Sequence, residues 1–271
     1  ESYGGHYAPR LGAMLLQNNA LQGPDGVVVN LRGVGLGDGW VDPYTQYPAY
    51  VDFAYEQKLI GDTTKKLLEP MLASCLSDIK VKGWVGAAVS CNAVVGVILA
   101  ENPGMSFYDI RLICPKKHAW VHDCYNFTAG PRWMQTPAMR KFLNVSEDLV
   151  WKEREGVDSV IAAVDGDEED TLAYAVRAIL EAGVPLLVYN GDSDFAANHL
   201  GAERWTSALE WSGAAAFAAA NTTEWRVNGT LAGWRKSAHG LTYVKVKDAG
   251  HMVPMNQPTH AAALVAAFLD V

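Results

Sequence analysis

The sequence predicts an α/β protein on a largely parallel sheet, interrupted by a mainly helical insertion stapled by disulfides. Three observations carry this. Helical segments alternate with short apolar strands at both ends of the 271-residue chain, the rhythm of a parallel sheet covered by helices. From about residue 41 to residue 170 the rhythm stops, and helical stretches with Pro- and Trp-rich loops replace it. All four cysteines fall inside that interruption. The expected division is a core of residues 1–40 and 171–271 around an insertion of residues 41–170.

Each element has its own signal. In 5–20, GHYAPRLGAMLLQNNA, Leu11, Met14 and Leu15 recur at helical spacing, and Pro9 is assigned to the first turn, where proline is tolerated. VVVNLRGVGLGDG at 27–39 reads as a buried strand over 27–34 that enters a glycine-rich turn. Stretches 49–60 and 62–76 are expected to be helical. WKEREGVDSVIAAVDGDEED closes the insertion and reads as a solvated acidic face. TLAYAVRAILEAG is amphipathic and stops at Gly183, a natural helix end. VPLLVYNGDSD is a buried strand, 184–190, running into a turn, and a helix is expected from about 198 to 211. The Ala-rich stretch that follows carries no assignment. GLTYVKVKDAGHM alternates apolar and charged residues, as an outer strand over 242–247 would, and THAAALVAAFLDV closes the chain as a helix.

Composition narrows the function. Hydrophobic residues make up 49% and charged residues 19%, an ordinary globular balance. A net charge of -8 argues against nucleic acid or an anionic membrane as partner. The longest apolar run, VGAAVSCNAVVGVILA, is broken by Asn92, so no membrane span is expected. None of the cysteines has the close spacing of a zinc ribbon, and no histidine pair completes a metal set; no metal and no cofactor are expected. The even count with local spacing suggests two disulfides, most simply Cys75–Cys91 and Cys114–Cys124. Four buried thiols are the other reading. Glycosylation sequons at Asn126, Asn144, Asn221 and Asn228 join the cysteines in pointing to the secretory pathway.

The chemistry lies in three short segments. An acyl-transfer site needs a nucleophile, a base beside it and an acid that orients the base. In α/β-hydrolases these come in the order Ser, Asp, His, each on the loop after a strand. Ser2 stands in ESYGGHYAP just before a helix. Asp194 lies just past PLLVYN, and His251 just past TYVKV. Taken singly, Asp192 and Asp194 read as turn residues and His251 as a loop histidine. Taken together they have the right order, at strand carboxyl ends where such sites form. His6 falls on the nucleophile's own helix and reads as packing.

These segments resemble the serine carboxypeptidases. ESYGGHYAP matches the family's nucleophile elbow, YNGDSDFAANHLGAERW its acid segment and DAGHMVPMNQP its base segment, while GVGLGDGWVDPYTQYPAY looks like the strand and turn after the elbow helix. The resemblance implies an α/β-hydrolase fold with Ser2, Asp194 and His251 catalytic, and the Tyr3 backbone N–H as an oxyanion donor. It implies that Glu1 binds a substrate's free C-terminal carboxylate, which requires a proton on Glu1 and hence acidic pH. It places Met252 in the pocket for the departing residue. Ala197 stands where the family often has cysteine, which bears on that pocket's size. The implied reaction is release of C-terminal residues from peptides through an acyl-enzyme. Acyltransfer or ester hydrolysis on the same fold is the alternative, and a non-catalytic glycoprotein scaffold the other. Lysosome, vacuole or secretion is the expected location. Partners are peptides, with a homodimer as an option. The family's first strands, its other oxyanion donor and further carboxylate-binding groups precede the elbow, so an N-terminal segment or second chain is expected to complete the site.

Overall fold

The computed structural model describes residues 1–21, 26–82, 84–114, 121–122, 124–146, 148 and 167–269. In chain order come helix α1 (Gly4–Leu21), strand β1 (Val34–Gly37) and helices α2 (Pro43–Glu56), α3 (Asp62–Lys80) and α4 (Trp84–Glu101). A small strand pair β2 (Val121–His122) and β3 (Tyr125–Asn126) and short helices α5 (Ala129–Met134) and α6 (Pro137–Phe142) follow. Then come α7 (Ala173–Glu181), β4 (Leu186–Gly191), α8 (His199–Ala208), α9 (Ala214–Ala219), β5 (Thr223–Val227), β6 (Thr230–Ala238), β7 (Leu241–Val246), α10 (Val253–Asn256) and α11 (Pro258–Leu269).

Among the described residues five strands form one sheet in the order β1-β4-β7-β6-β5. β4 pairs in parallel with β1 and with β7. Its Leu186, Leu187 and Val188 are all buried, as a strand covered on both faces requires. Each such side chain contributes roughly 1.5–3 kcal/mol on leaving water. Leu186 and Val188 face a core with Val34, Leu36, Val176, Ile179, Trp205 and Leu241. Leu187 joins Val244, Val246, Ala261 and Leu264 on the other face. Gly183, at φ 74, ends α7 in the left-handed conformation that glycine takes without a Cβ clash.

The sheet departs from expectation in three places. Residues 27–33 are not a strand; β1 is Val34–Gly37. Val29 instead bonds sideways, with Asn19 Nδ2 donating to its carbonyl at 2.7 Å and its N–H donating to Asn19 Oδ1 at 2.9 Å. Val27 and Val28 are exposed. β7 is an interior strand rather than an outer one, because β6 covers it in antiparallel register. The unassigned stretch holds α9 and the β5–β6 hairpin, whose two-residue turn Asn228-Gly229 has φ 50 and 80. That is a type I′ turn, for which Asn-Gly is the strongest short signal. Pro9 also lies in the second turn of α1, not the first.

Helices α2, α3 and α4 share their own core, in which Phe53, Leu68, Val94 and Ile98 meet Phe195 from the loop after β4. Helix α2 starts earlier than expected, with Pro43 at its first position, where the missing N–H costs nothing. Disulfides join Cys75 to Cys91, between α3 and α4, and Cys114 to Cys124. The acidic run does not end as a solvated face: Glu169 is buried and accepts the Tyr47 hydroxyl at 3.0 Å, and Asp167 accepts the Tyr3 hydroxyl at 2.9 Å. Residues 151–166 of that run lie outside the described residues. Among the described residues no helix is long and apolar enough to cross a membrane.

Candidate active site

Ser2 sits where chain direction changes sharply. Its φ is 58, a left-handed value that typically costs a non-glycine residue about 1–3 kcal/mol and is sustained only by its surroundings. Those surroundings are explicit. The Ser2 N–H donates to the Gly37 carbonyl and its own carbonyl accepts the Trp40 N–H, both at 3.1 Å. The turn is thus stitched to the end of β1. Gly5 makes the approach possible, since a Cβ there would lie 2.4 Å from the Trp40 carbonyl oxygen. His6 is buried, with Nδ1 2.7 Å from the Trp40 carbonyl oxygen and Nε2 3.2 Å from that of Asp170.

Asp194 and His251 come together in the protein interior. His251 Nδ1 is 2.9 Å from Asp194 Oδ2, and both side chains are essentially inaccessible. Asp194 also accepts the Ala196 N–H at 2.8 Å and the Ala197 N–H at 3.1 Å. Three donors thus converge on one buried carboxylate. Burial pushes the His251 imidazole toward neutrality, but the Asp194 charge and hydrogen bond, with Glu1, outweigh it and raise the pKa.

Asp194, not Asp192, meets the imidazole. Asp192 lashes the two loops together by accepting the N–H groups of Asp248 at 3.1 Å and Ala249 at 3.3 Å. Gly191 allows this closeness, because a Cβ there would lie 2.3 Å from the Gly250 carbonyl oxygen. A segment between α4 and β2 braces both loops. Tyr108 stacks on the His251 ring at 4.5 Å, its carbonyl accepts the His251 N–H at 2.7 Å, and Phe107 accepts the Ala196 N–H at 3.0 Å. Nothing in the sequence marks Tyr108, since its role depends on where the chain returns.

On the outer side of the imidazole, Nε2 has Glu1 Oε1 at 3.3 Å. Among the described residues no hydrogen bond joins Ser2 to His251, a looseness common in unliganded sites. The Tyr3 ring stacks on His6 at 4.8 Å. Met252 is half-buried and caps α10 directly after His251. Asn126, Asn144, Asn221 and Asn228 are all exposed. One further group is close: oxygens of Asp38 and Asp194 and a nitrogen of His251 lie within 4.8 Å of one another, all three residues being buried. A metal there would have to displace the bond that already joins Asp194 to His251.

A mixed sheet, a serine on a strained turn opening a helix, and an acid and imidazole paired beyond two parallel strands define an α/β-hydrolase. The chain belongs to the serine carboxypeptidase family, whose model matches residues 1–271. Serine carboxypeptidase-like 49 of Arabidopsis thaliana is 35% identical over 100% of this chain and 52% of its own length. A serine carboxypeptidase-like protein of Pisum sativum is 36% identical over 98% of this chain and 92% of its own length. Serine carboxypeptidase 3 of Hordeum vulgare is 33% identical over 99% of this chain. The chain spans about half the length of the Arabidopsis and Hordeum relatives. A solved prohormone-processing carboxypeptidase from Saccharomyces cerevisiae superposes with a TM-score of 0.81, covering 99% of this chain and 60% of that one at 24% identity. That likeness shows the fold.

Proposed function

We propose that this chain carries the nucleophile, acid and base of a secretory-pathway serine carboxypeptidase acting at acidic pH. The observation that carries the reading is the buried 2.9 Å bond between His251 Nδ1 and Asp194. It leaves Nε2 on the side of Glu1, the residue that precedes Ser2. In the mechanism, Ser2 Oγ attacks the carbonyl carbon of the last peptide bond and its proton passes to His251 Nε2. The Tyr3 N–H is one donor to the oxyanion. The intermediate then breaks the C–N bond, and His251 returns the proton to the departing amine. Water, deprotonated by His251, hydrolyses the acyl ester and restores Ser2. Asp194 holds the imidazole in the tautomer that accepts at Nε2.

Substrate choice in this reading rests on Glu1 and Met252. Glu1, 3.3 Å from His251 Nε2, moves onto the substrate's terminal carboxylate, and Met252 lines the pocket of the leaving residue. A further polypeptide covers the face where Tyr7, Leu11 and Met14 of α1 and Val27 and Val28 are exposed, and pairs with the free edge of β1. The four exposed sequon asparagines accept glycans on the way to lysosome, vacuole or medium. The test uses the full-length protein. A fluorophosphonate should label Ser2, and a blocked dipeptide with a free C-terminus should be cleaved far faster than its amide. Labelling with turnover of esters but no preference for the free carboxylate would favour an acyltransferase or esterase; no labelling would favour a scaffold.

A further inference from the structure

The proposed mechanism leaves Asp38 without a role. It follows β1 at a left-handed φ of 44, a conformation that aspartate tolerates better than most side chains. Its N–H donates to the Tyr189 carbonyl at 2.7 Å, and its side chain is fully buried. Oδ1 accepts the Gly191 N–H at 2.8 Å. Oδ2 is buried with no hydrogen-bond donor among the described residues, yet it belongs to the carboxyl group that shares the 4.8 Å cluster with Asp194 and His251.

Two buried carboxyl groups this close cannot both stay ionised, so one keeps a proton. The hydrogen bonds say which. Asp194 receives three donors, from His251, Ala196 and Ala197. Asp38 receives one, from Gly191. The better-solvated group carries the charge, and the other has an oxygen that lacks a donor because it bears the proton itself. We propose that Asp38 is a neutral positioning acid, whose Oδ2–H donates to the Asp194 carboxylate and fixes the group that orients His251.

The surroundings agree. Burial, then the Asp194 charge, then Glu1, hold the Asp38 carboxyl well above the usual carboxylate range against the single Gly191 bond. The other titratable groups around it are His251 and the phenols of Tyr189 and Tyr243. Among these, only His251 can supply a positive charge, and Asp194 already engages it. Asparagine has the same outline as the neutral acid: its oxygen can accept the Gly191 N–H and its NH₂ can donate where Oδ2–H does.

The role rests on the catalytic reading of Asp194 and His251, but the protonation state can be tested without turnover. Infrared difference spectra of the full-length protein against D38N at neutral pH should show a carboxylic-acid C=O band that the variant lacks. NMR titration should find the His251 midpoint unmoved in D38N, because no charge has been removed. In turnover, D38A should lose about 10²-fold in kcat/KM, the scale of a misplaced catalytic group, and D38N should recover it to within about threefold. Absence of the band, a lowered His251 midpoint in D38N, or D38N as impaired as D38A would each overturn the proposal. Should D38A fail to fold, the D38N spectrum and titration still decide. A protein inactive on every substrate, yet showing the band, would fail the carboxypeptidase reading and keep the neutral Asp38.

Discussion

Asp194→Asn tests the site by exchanging one carboxylate oxygen for an NH₂ group. In the native arrangement Asp194 Oδ1 accepts one backbone N–H, while Oδ2 accepts another and His251 Nδ1. An asparagine has one acceptor oxygen. If its NH₂ takes the Oδ2 position, it faces the Ala197 N–H and drives His251 into the tautomer protonated at Nε2, which cannot take a proton from Ser2. If the NH₂ takes the Oδ1 position, it faces the Ala196 N–H. Either way a buried donor is orphaned, which costs about 1–3 kcal/mol of stability. Loss of the Asp194 charge also leaves burial as the leading influence on His251, so its pKa falls. The rate of Ser2 acylation should drop about 10⁴-fold, the scale of a wrong imidazole tautomer in triads of this kind. The assay is the rate of fluorophosphonate labelling beside kcat for a blocked dipeptide, with thermal unfolding as the control for folding. D194N acylating within tenfold of the native rate would refute the reasoning.

Three other expectations follow from the same geometry. Glu1→Gln removes a negative charge that helps raise the His251 pKa. Since His251 must be neutral to accept the Ser2 proton, the acid limb of the kcat/KM profile should move to lower pH; an amide that donates at every pH should extend the alkaline side, and an unchanged profile would remove Glu1 from the site. Cys75→Ser paired with Cys91→Ser opens a loop of sequence separation 16 between two fully buried sulfurs, so unfolding should become easier by about 3 kcal/mol in the chain-entropy picture, read by denaturant melts; no change would mean that α3 and α4 hold together without it. Gly191→Ala puts a methyl 2.3 Å from the Gly250 carbonyl oxygen and 2.4 Å from that of Ala249, backbone that must move, so it should cost about 1–3 kcal/mol and loosen the Asp194–His251 bond, seen as a lost downfield imidazole proton resonance; an intact resonance would show that the loop absorbs the methyl elsewhere.

Several elements have causes that lie close together in the chain. The helix that stops at Gly183, the strand from Leu186 and the apolar spacing of α1 depend on residues a few places apart, so the sequence contains their causes. The same is true of the two disulfides, whose partners lie 16 and 10 residues apart. The pairing of Asp194 with His251 was legible because each follows a strand in a short segment with its own Gly and Asp pattern. The β5–β6 hairpin has a local signal in Asn228-Gly229, but the surrounding Ala-rich and polar residues hid its alternation and left the stretch unassigned.

The remainder depended on distant partners. Val27, Val28 and Val29 have the composition of a buried strand, yet the sheet pairs Val34 with Leu186 and leaves the three valines outside. The acidic run has the composition of a solvated face, yet Tyr47, 122 residues earlier, reaches Glu169. Asp38 looks like a turn residue beside two glycines, and only the bond to Gly191, 153 residues on, brings it beside Asp194. Its sequence neighbours determined the turn at Asp38. Tertiary packing determined its burial beside a second carboxyl, because the electrostatic cost of two close charges exists only once strands β1 and β4 lie side by side.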